Sequence, residues 1–434
     1  MQAELEELAA EIVDSLASFD FGPEHGSTMR LVAGAAFGLM ASIRPSPRAD
    51  QVFDGPVNLI VNNPVEHGAR FSRALAQSLP TTEPSTVFAD ARHADPLVGE
   101  VRDLPGVGLR SIHALGSASR LRLYARLRRL PLVIEHINAV PDRWRAEVAF
   151  LSQAFRYQAA LRTDFSRTSL IVTDFDRGTT ARPWVWAARR SGRAVVTALH
   201  GSPASATYLP LLADAVLAWG QAQSVWLDAH RTDASIHVVG RADLENRTSI
   251  ADGVDRLVIC HSREELLPSE QQALVSLIRD FGGIGVEIIL RRHPSARGPL
   301  HESWRPVEDL AQVVPSAGQP LTSFLCPGDF VVGVASTALV DALVSGHGVA
   351  VIAAPSRPLP ADLKTIAPLS PSFTPSTGHA HAKLSPDYVA HLESLSMRIV
   401  AAVGSEAAQA MSAAILALAD QGAHRVAPDS ASET

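Results

Sequence analysis

From residue 57 onward the chain alternates between two hydrophobic patterns. Unbroken apolar runs read as strands: "VNLIVNN" (57–63), "STVFADA", "GLRSIHAL", "LPLVIEHI", "SLIVTDFD", "AVVTALHG", "DAVLAWG" and "SIHVVG". A strand covered on both faces needs apolar residues on both, so its pattern is continuous. Between most of these runs the apolar residues recur three and four apart, from Gly68 to Leu79 and over 143–162 and 179–191, which predicts helices. The alternation pauses at the polar stretch "RADLENRTSIADGVD" (241–255) and then resumes. "RLVICHS" (256–262), "VEIILRRHP", "AQVVPS", "DFVVGVAS" and "GVAVIAAP" form the second strand series, with helices over 263–281 and 337–346. Residues 356–385, rich in Pro, Ser and Thr, read as a long loop, followed by closing helices over 386–402 and 405–420. At the other end Leu5, Leu8, Ile12 and Leu16 keep helical spacing.

Two successive series of helix-covered parallel strands predict an α/β protein with two Rossmann-like domains facing a central cleft, preceded by N-terminal helices. The expected partition is a helical segment (1–50), a first domain (51–240), a linker (241–255), a second domain (256–385), two closing helices (386–422) and a disordered tail (423–434). A chain of 434 residues has room for this, and 46% hydrophobic residues are enough for two cores. A formal net charge of −7 argues against nucleic acid as a partner. Cys260 and Cys326 are too few for a disulfide framework or a zinc cluster and fit a reducing compartment. The N-terminus is acidic and lacks the basic region of a secretory signal. The apolar run "LVAGAAFGLMASI" (31–43) is short for a membrane span and reads as a buried helix, with an interfacial role as the alternative. The expected location is the cytoplasm, with peripheral contact at the inner face of the membrane as a further option.

In open parallel sheets ligands bind beyond the carboxyl ends of the strands, so the residues after each apolar run are the candidates. After the first strand come Asn62, Asn63, Glu66, His67 and Gly68, and "DFDRG" after the fourth supplies Asp174 and Asp176. "LHGSP" ends a strand in His200 and Gly201, where imidazole can act as a base and glycine permits a tight turn or a close ligand. His261 and Ser262 follow "LVIC", and "RRHP" delivers Arg291, Arg292 and His293 before Pro294 stops the strand. In "GVASTALVD", Ser336 or Thr337 stands at a helix start, which fits both ordinary capping and a phosphate site.

The order "LHGSP", "RRHP", "ASTALVD" resembles GT-B glycosyltransferases acting on bacterial surface polymers. It is similar to CDP-glycerol glycerophosphotransferases and to sialyl- and capsule transferases with HP and S/T motifs. The resemblance spans about residues 168–353 and implies a GT-B-like fold. It implies transfer of a sugar or polyol phosphate from a CMP-, CDP- or UDP-linked donor to a cell-surface glycan acceptor, with no metal and no cofactor. It makes His200 the candidate base, with Asp174 or Asp176 as substitutes, and places His293 at the departing phosphate. Ser336 and Thr337 would bind that phosphate, with Arg291, Arg292, Pro294, Ser262 and Asp341 around it. Glu66, His67, Gly68 and Gly201 would face the acceptor. Two other readings share the architecture: a non-hydrolysing nucleotide-sugar 2-epimerase, and a non-catalytic nucleotide-sugar-binding relative.

Overall fold

The computed structural model describes residues 2–16, 53, 55–61, 67–79, 85–89, 107–111 and 120–426, the last apart from 142, 179–180, 231, 263, 295, 297, 317–318, 335, 368–372 and 376–381. The run at 31–43 and Asn62, Asn63 and Glu66 lie outside the described residues, as does the tail beyond Val426.

The first domain is a seven-stranded, all-parallel sheet in the order β3-β2-β1-β4-β5-β6-β7. Its strands are β1 (Val57–Val61), β2 (Ser85–Ala89), β3 (Val107–Ser111), β4 (Leu170–Thr173), β5 (Ala194–Ala198), β6 (Ala215–Ala218) and β7 (Ser235–Val238). β1, β4, β5 and β6 are buried at every position, which is why their sequences do not alternate. The second domain repeats the plan with five parallel strands ordered β11-β10-β9-β12-β13. These are β9 (Arg256–Cys260), β10 (Glu287–Arg291), β11 (Gln312–Val314), β12 (Asp329–Gly333) and β13 (Gly348–Val351). In each sheet the strand order reverses beside the first strand, between β1 and β4 and between β9 and β12. That reversal is the Rossmann arrangement, and two such domains make the fold GT-B-like.

Several local expectations are corrected. "LPLVIEHI" is no strand but part of a helix, Pro131–Ala139. Proline suits the first helical turn, and Val133 and Ile137, four apart, are the residues it buries. It belongs to a helical layer with α1 (Gln2–Leu16), α3 (Arg120–Leu127), this helix as α4, and α5 (Arg143–Ala160), whose shared core includes Ile12, Leu127, Val133 and Phe150; α2 is His67–Gln77. The layer meets the sheet through α6 (Arg182–Arg190). The region 356–385 is not one loop: it contains helix Ala361–Ile366 and strands β14 (Phe373–Pro375) and β15 (Ala382–Leu384). β15 pairs with β8 (Gly253–Val254), which ties part of the polar stretch 241–255 to the second domain. The last helix runs on to Val426.

In chain order the remaining described helices longer than one turn are α7 (Gln221–Ala229), α8 (Pro268–Gly282), α9 (Ala338–Val344), α10 (Ala361–Ile366), α11 (Pro386–Ile399) and α12 (Gly404–Val426). α11 completes the second core through Leu392, Leu395 and Ile399. The chain then returns, and Met411, Ile415 and Leu418 of α12 pack under Leu59, Val172 and Val196 of the first sheet. The outgoing segment near Arg241 and the returning segment near Val403 therefore run side by side. Arg241 N–H donates to Ala402 O at 2.9 Å, and Gly404 N–H donates to Leu244 O at 2.7 Å.

Gly240 lets the backbones approach this closely. Its φ is +86°, and a Cβ there would lie 2.2 Å from Ala402 O. Gly192, at φ +73°, has nothing within 4 Å of that position. Urea unfolding is expected to show a loss of about 1 kcal/mol for Gly192→Ala, the backbone cost alone, and of about 3 kcal/mol for Gly240→Ala, where the crossing must also move. Equal losses would contradict the close approach.

Candidate functional site

The two sheets present their carboxyl edges to each other, as the contacts between domains show. The side-chain contacts that follow come from segments beyond strand ends. Arg70 on α2 reaches Asp341 on α9 at 2.8 Å and Asp243 at 3.0 Å. Arg241 forms a two-pronged pair with Asp243, both bonds 2.7 Å, and reaches Asp341 at 3.1 Å. Its guanidinium also lies 4.2 Å over the Trp219 ring. Burial works to raise the Asp243 carboxyl, but Arg241 and Arg70 carry it below the usual carboxylate range. Asp341 thus sits within a domain-joining ion cluster, where its two arginines occupy its carboxylate.

A second junction lies beside the first-domain loop. Ala361 and Asp362, at the start of α10, donate their backbone N–H groups to Pro203 O and Ser202 Oγ, each at 2.9 Å. Gln223 on α7 donates Nε2–H to Asp362 Oδ2 at 2.9 Å. The loop immediately after His200 is therefore held by the opposite domain.

His200 itself is half-buried. Its Nδ1 lies 2.8 Å from Asp174 O and 3.2 Å from Tyr208 Oη. A carbonyl only accepts, so Nδ1 carries the proton and Nε2 is the basic nitrogen of the ring. Phe175 and Tyr208 brace the ring at centroid distances of 5.5 and 6.0 Å. Burial, with Asp174 nearby, pushes the Tyr208 hydroxyl up, so it stays a phenol.

The two aspartates proposed as substitutes are inside the protein. Asp174 is 0% exposed and accepts from Ser72 Oγ at 3.4 Å. Asp176 is 0% exposed, and one of its oxygens accepts the backbone N–H groups of Leu212 and Ala213 at 2.6 and 3.2 Å. Burial raises its carboxyl despite these bonds. A Cβ at Gly201 would meet only the Tyr208 hydroxyl, at 3.6 Å, so the fold does not itself demand glycine there. His67 and Gly68 open α2, and the His67 side chain, like Glu66, lies outside the described residues.

On the second-domain edge, His293 leaves β10 in a turn closed by Ala296 N–H donating to His293 O at 2.9 Å, with Pro294 inside it. His293 N–H donates to His261 Nδ1 at 3.3 Å. Burial, then His293 and Arg292, push the His261 imidazole down to about 4, so His261 stays a neutral acceptor for that bond. Arg291 is buried over the Phe324 ring and donates to Gln319 O, whereas Arg292 donates to Gly298 O. The two arginines take separate directions, as strand neighbours must. Ser262 Oγ bonds Glu264 O at 3.4 Å within its own turn. Ser336 Oγ accepts the Ala338 N–H at 3.3 Å, and Thr337 precedes α9 without a side-chain capping bond. The structure thus collects His293, Ser262, Ser336 and Thr337 along one edge and His200 along the facing one. Sequence reasoning missed Arg70, Arg241, Asp243, Gln223 and Asp362, whose partners are distant in the chain, and it left His261 without a role.

No protein-family model matches the chain, and no curated protein matches it in sequence. Among solved structures it is similar to the glycotransferase of kitacinnamycin, at 14% identity over 88% of this chain and 100% of that one, with a TM-score of 0.45. It is also similar to UDP-GlcNAc 2-epimerase from Neisseria meningitidis bound to UDP-GlcNAc, at 12% identity over 86% and 94% of the two chains, TM-score 0.41. A third is UGT2 of Phytolacca americana, complexed with UDP-2fluoro-glucose and pterostilbene, at 12% identity over 85% and 94%, TM-score 0.37. Likenesses this distant transfer no residue roles.

The junction beside His200 has a pH signature. Burial pushes the Asp362 carboxyl up to about 6, partly offset by Gln223, Ser202 and Arg241. Folding therefore favours its protonated form. The associated stability is complete below the unfolded value, near pH ~4, and is lost as pH rises through the folded value. Asp362→Asn is expected to gain on the wild type by roughly 2–3 kcal/mol between pH ~4 and ~7, read from urea midpoints. A difference that does not vary with pH would contradict the buried acid.

Proposed function

We propose that the cleft transfers a glycosyl or polyol-phosphate group from a nucleotide-activated donor to an acceptor hydroxyl. The observation that carries this reading is the His200 tautomer. A base at the cleft must have a lone pair available, and the Nδ1–H bond to Asp174 O leaves Nε2 with one. Asp174 and Asp176 are engaged inside the first domain, so His200 is the better base.

In the proposed step the acceptor O–H gives its proton to His200 Nε2 as its oxygen bonds to the transferred group. The bond from that group to the nucleotide phosphate breaks, and its electron pair stays on the phosphate oxygen. Hydroxyls of Ser336 and Thr337 and the imidazole of His293 would meet the growing negative charge. Asp341, held between Arg70 and Arg241, would act on domain geometry in this scheme, with no contact to phosphate. The donor class is that of the resemblance, a CMP-, CDP- or UDP-linked group, and the acceptor is a glycan.

Thermal-shift measurement with CMP, CDP, UDP and GDP ligands should identify one that raises the melting temperature by several degrees. With the matching donor and an acceptor, His200→Ala is expected to lower kcat by roughly 10²–10⁴-fold while leaving the nucleotide shift intact. His293→Ala should reduce that shift. Turnover unchanged in His200→Ala, with the variant folded, would end this assignment. Conversion of a UDP-sugar with no acceptor present would favour the epimerase reading instead.

A further inference from the structure

The chain leaving β13 crosses the carboxyl edge of the second sheet as "APSRPLPAD" (354–362). Its residues up to Pro360 form no helix or strand, and Pro355, Ser356 and Pro358 are exposed. An exposed irregular segment is usually the loosest part of a domain. This one is fastened at two points. The first is Arg357, which donates Nε–H to Glu270 Oε1 at 2.6 Å and Nη2–H to Glu270 Oε2 at 2.9 Å. The same Nη2 reaches Glu265 O at 2.6 Å, and Nη1 pairs with Glu264. Glu270 is buried and the arginine nearly so, and a two-pronged bond there holds one geometry, unlike a surface ion pair. Glu264 and Glu265 belong to the turn after β9, where Glu264 O also accepts from Trp304 Nε1 at 3.0 Å and from Ser262 Oγ at 3.4 Å. The Trp304 ring in turn meets the His261 ring edge-on at 4.8 Å.

The second point lies in the other domain. Ala361 and Asp362 donate their N–H groups to Pro203 O and Ser202 Oγ, three and two residues beyond His200. Only Pro358, Leu359 and Pro360 separate the two anchors. Proline fixes φ at two of these three positions, and Pro360 stands extended at φ −55° and ψ 155°, so the link is short and stiff. Leu359 holds it against the second core. Arg357 also has a local role. Glu270 Oε2 accepts the Leu267 N–H at 2.9 Å, so the arginine braces the start of α8. That role alone would end within the second domain, whereas the anchors at Ser202 and Pro203 carry the restraint across the cleft.

We infer that residues 357–362 form a strap that holds the facing edges of the cleft in register, and that Arg357 is thereby a positioning residue for His200. It touches neither His200 nor the place where a substrate would lie; it fixes the segment that fixes the loop behind the imidazole. The consequence for catalysis rests on the reaction proposed for the cleft, and the mechanical link does not.

Hydrogen exchange of the full chain without ligand tests the link. In Arg357→Ala the amides of Ala361 and Asp362 are expected to exchange at least about tenfold faster. The Gly201 amide, which donates to the Tyr208 hydroxyl in the first domain, should follow them, with β12 and β13 unchanged. Arg357→Met with Glu270→Gln removes the pair without stranding a buried carboxylate and keeps an oxygen for the Leu267 N–H, so it serves if the single variant does not fold. The same exchange pattern is expected of it. Unchanged exchange at Ala361, Asp362 and Gly201 in a folded variant, or equal acceleration throughout the second domain, would overturn the strap. With the matching donor and an acceptor, either variant should lower kcat roughly tenfold and change the donor KM by less than about threefold. Unchanged kcat in a variant whose Gly201 amide is freed would overturn the positioning role. If the wild type transfers nothing to any acceptor, the function proposed for the cleft fails, and the exchange result alone decides the strap.

Discussion

The cleft exists because two arginines and two aspartates meet where the domains touch. Arg70 comes from the first helix of the first domain, Asp341 from the helix after the fourth strand of the second, and Arg241 and Asp243 from the connecting segment. Buried ion pairs of this kind add little net stability, since desolvation offsets most of the attraction. Their effect is geometric. Each aspartate is shared by both arginines, so the four charges hold one another in a single cluster, and losing Arg241 would leave the buried Asp243 with the part-exposed Arg70 alone. Gly240 at the neighbouring crossing lets the two connecting backbones lie close enough for that arrangement.

With the domains fixed, the facing strand ends acquire a relation that neither sheet has alone. His200 is oriented from its own side by Asp174 O and by Phe175 and Tyr208. The segment just after it is pinned from the other side by Ala361 and Asp362. Across the gap, the turn through His293 hangs from His261, which burial keeps neutral and therefore able to accept. The His200 ring and the turn through His293 are thus each held from a strand end of their own sheet, as efficient chemistry requires.

Much of the fold was legible, because parallel strands buried on both faces announce themselves as unbroken apolar runs. β1, β4, β9 and β12 lie where those runs do. "LPLVIEHI" misled for a physical reason: a short apolar run cannot by itself be assigned to strand or helix, and Pro131 was the overlooked signal for a helix start. The Pro-rich region 356–385 concealed short elements whose stability comes from tertiary partners, as with β15 against β8. For the candidate site, the rule that ligands gather at strand ends pointed to His200 and His293. It could not reveal that Asp341 is engaged by Arg70, 271 positions away in sequence, nor that Asp176 turns inward to Leu212 and Ala213. Such pairings depend on how whole domains pack, and one sequence carries no local trace of them.

The central claim is that the turns after β9, β10 and β12 hold the phosphate of a nucleotide-activated donor. Hydrogen exchange of the full chain with and without CMP-, CDP- and UDP-linked ligands tests it most directly. Slower exchange in the amides of those three turns, and little change at the outer strands β3 and β7, is the result this account expects for the matching nucleotide. Protection confined to the first domain, or none with any of the three, would contradict it.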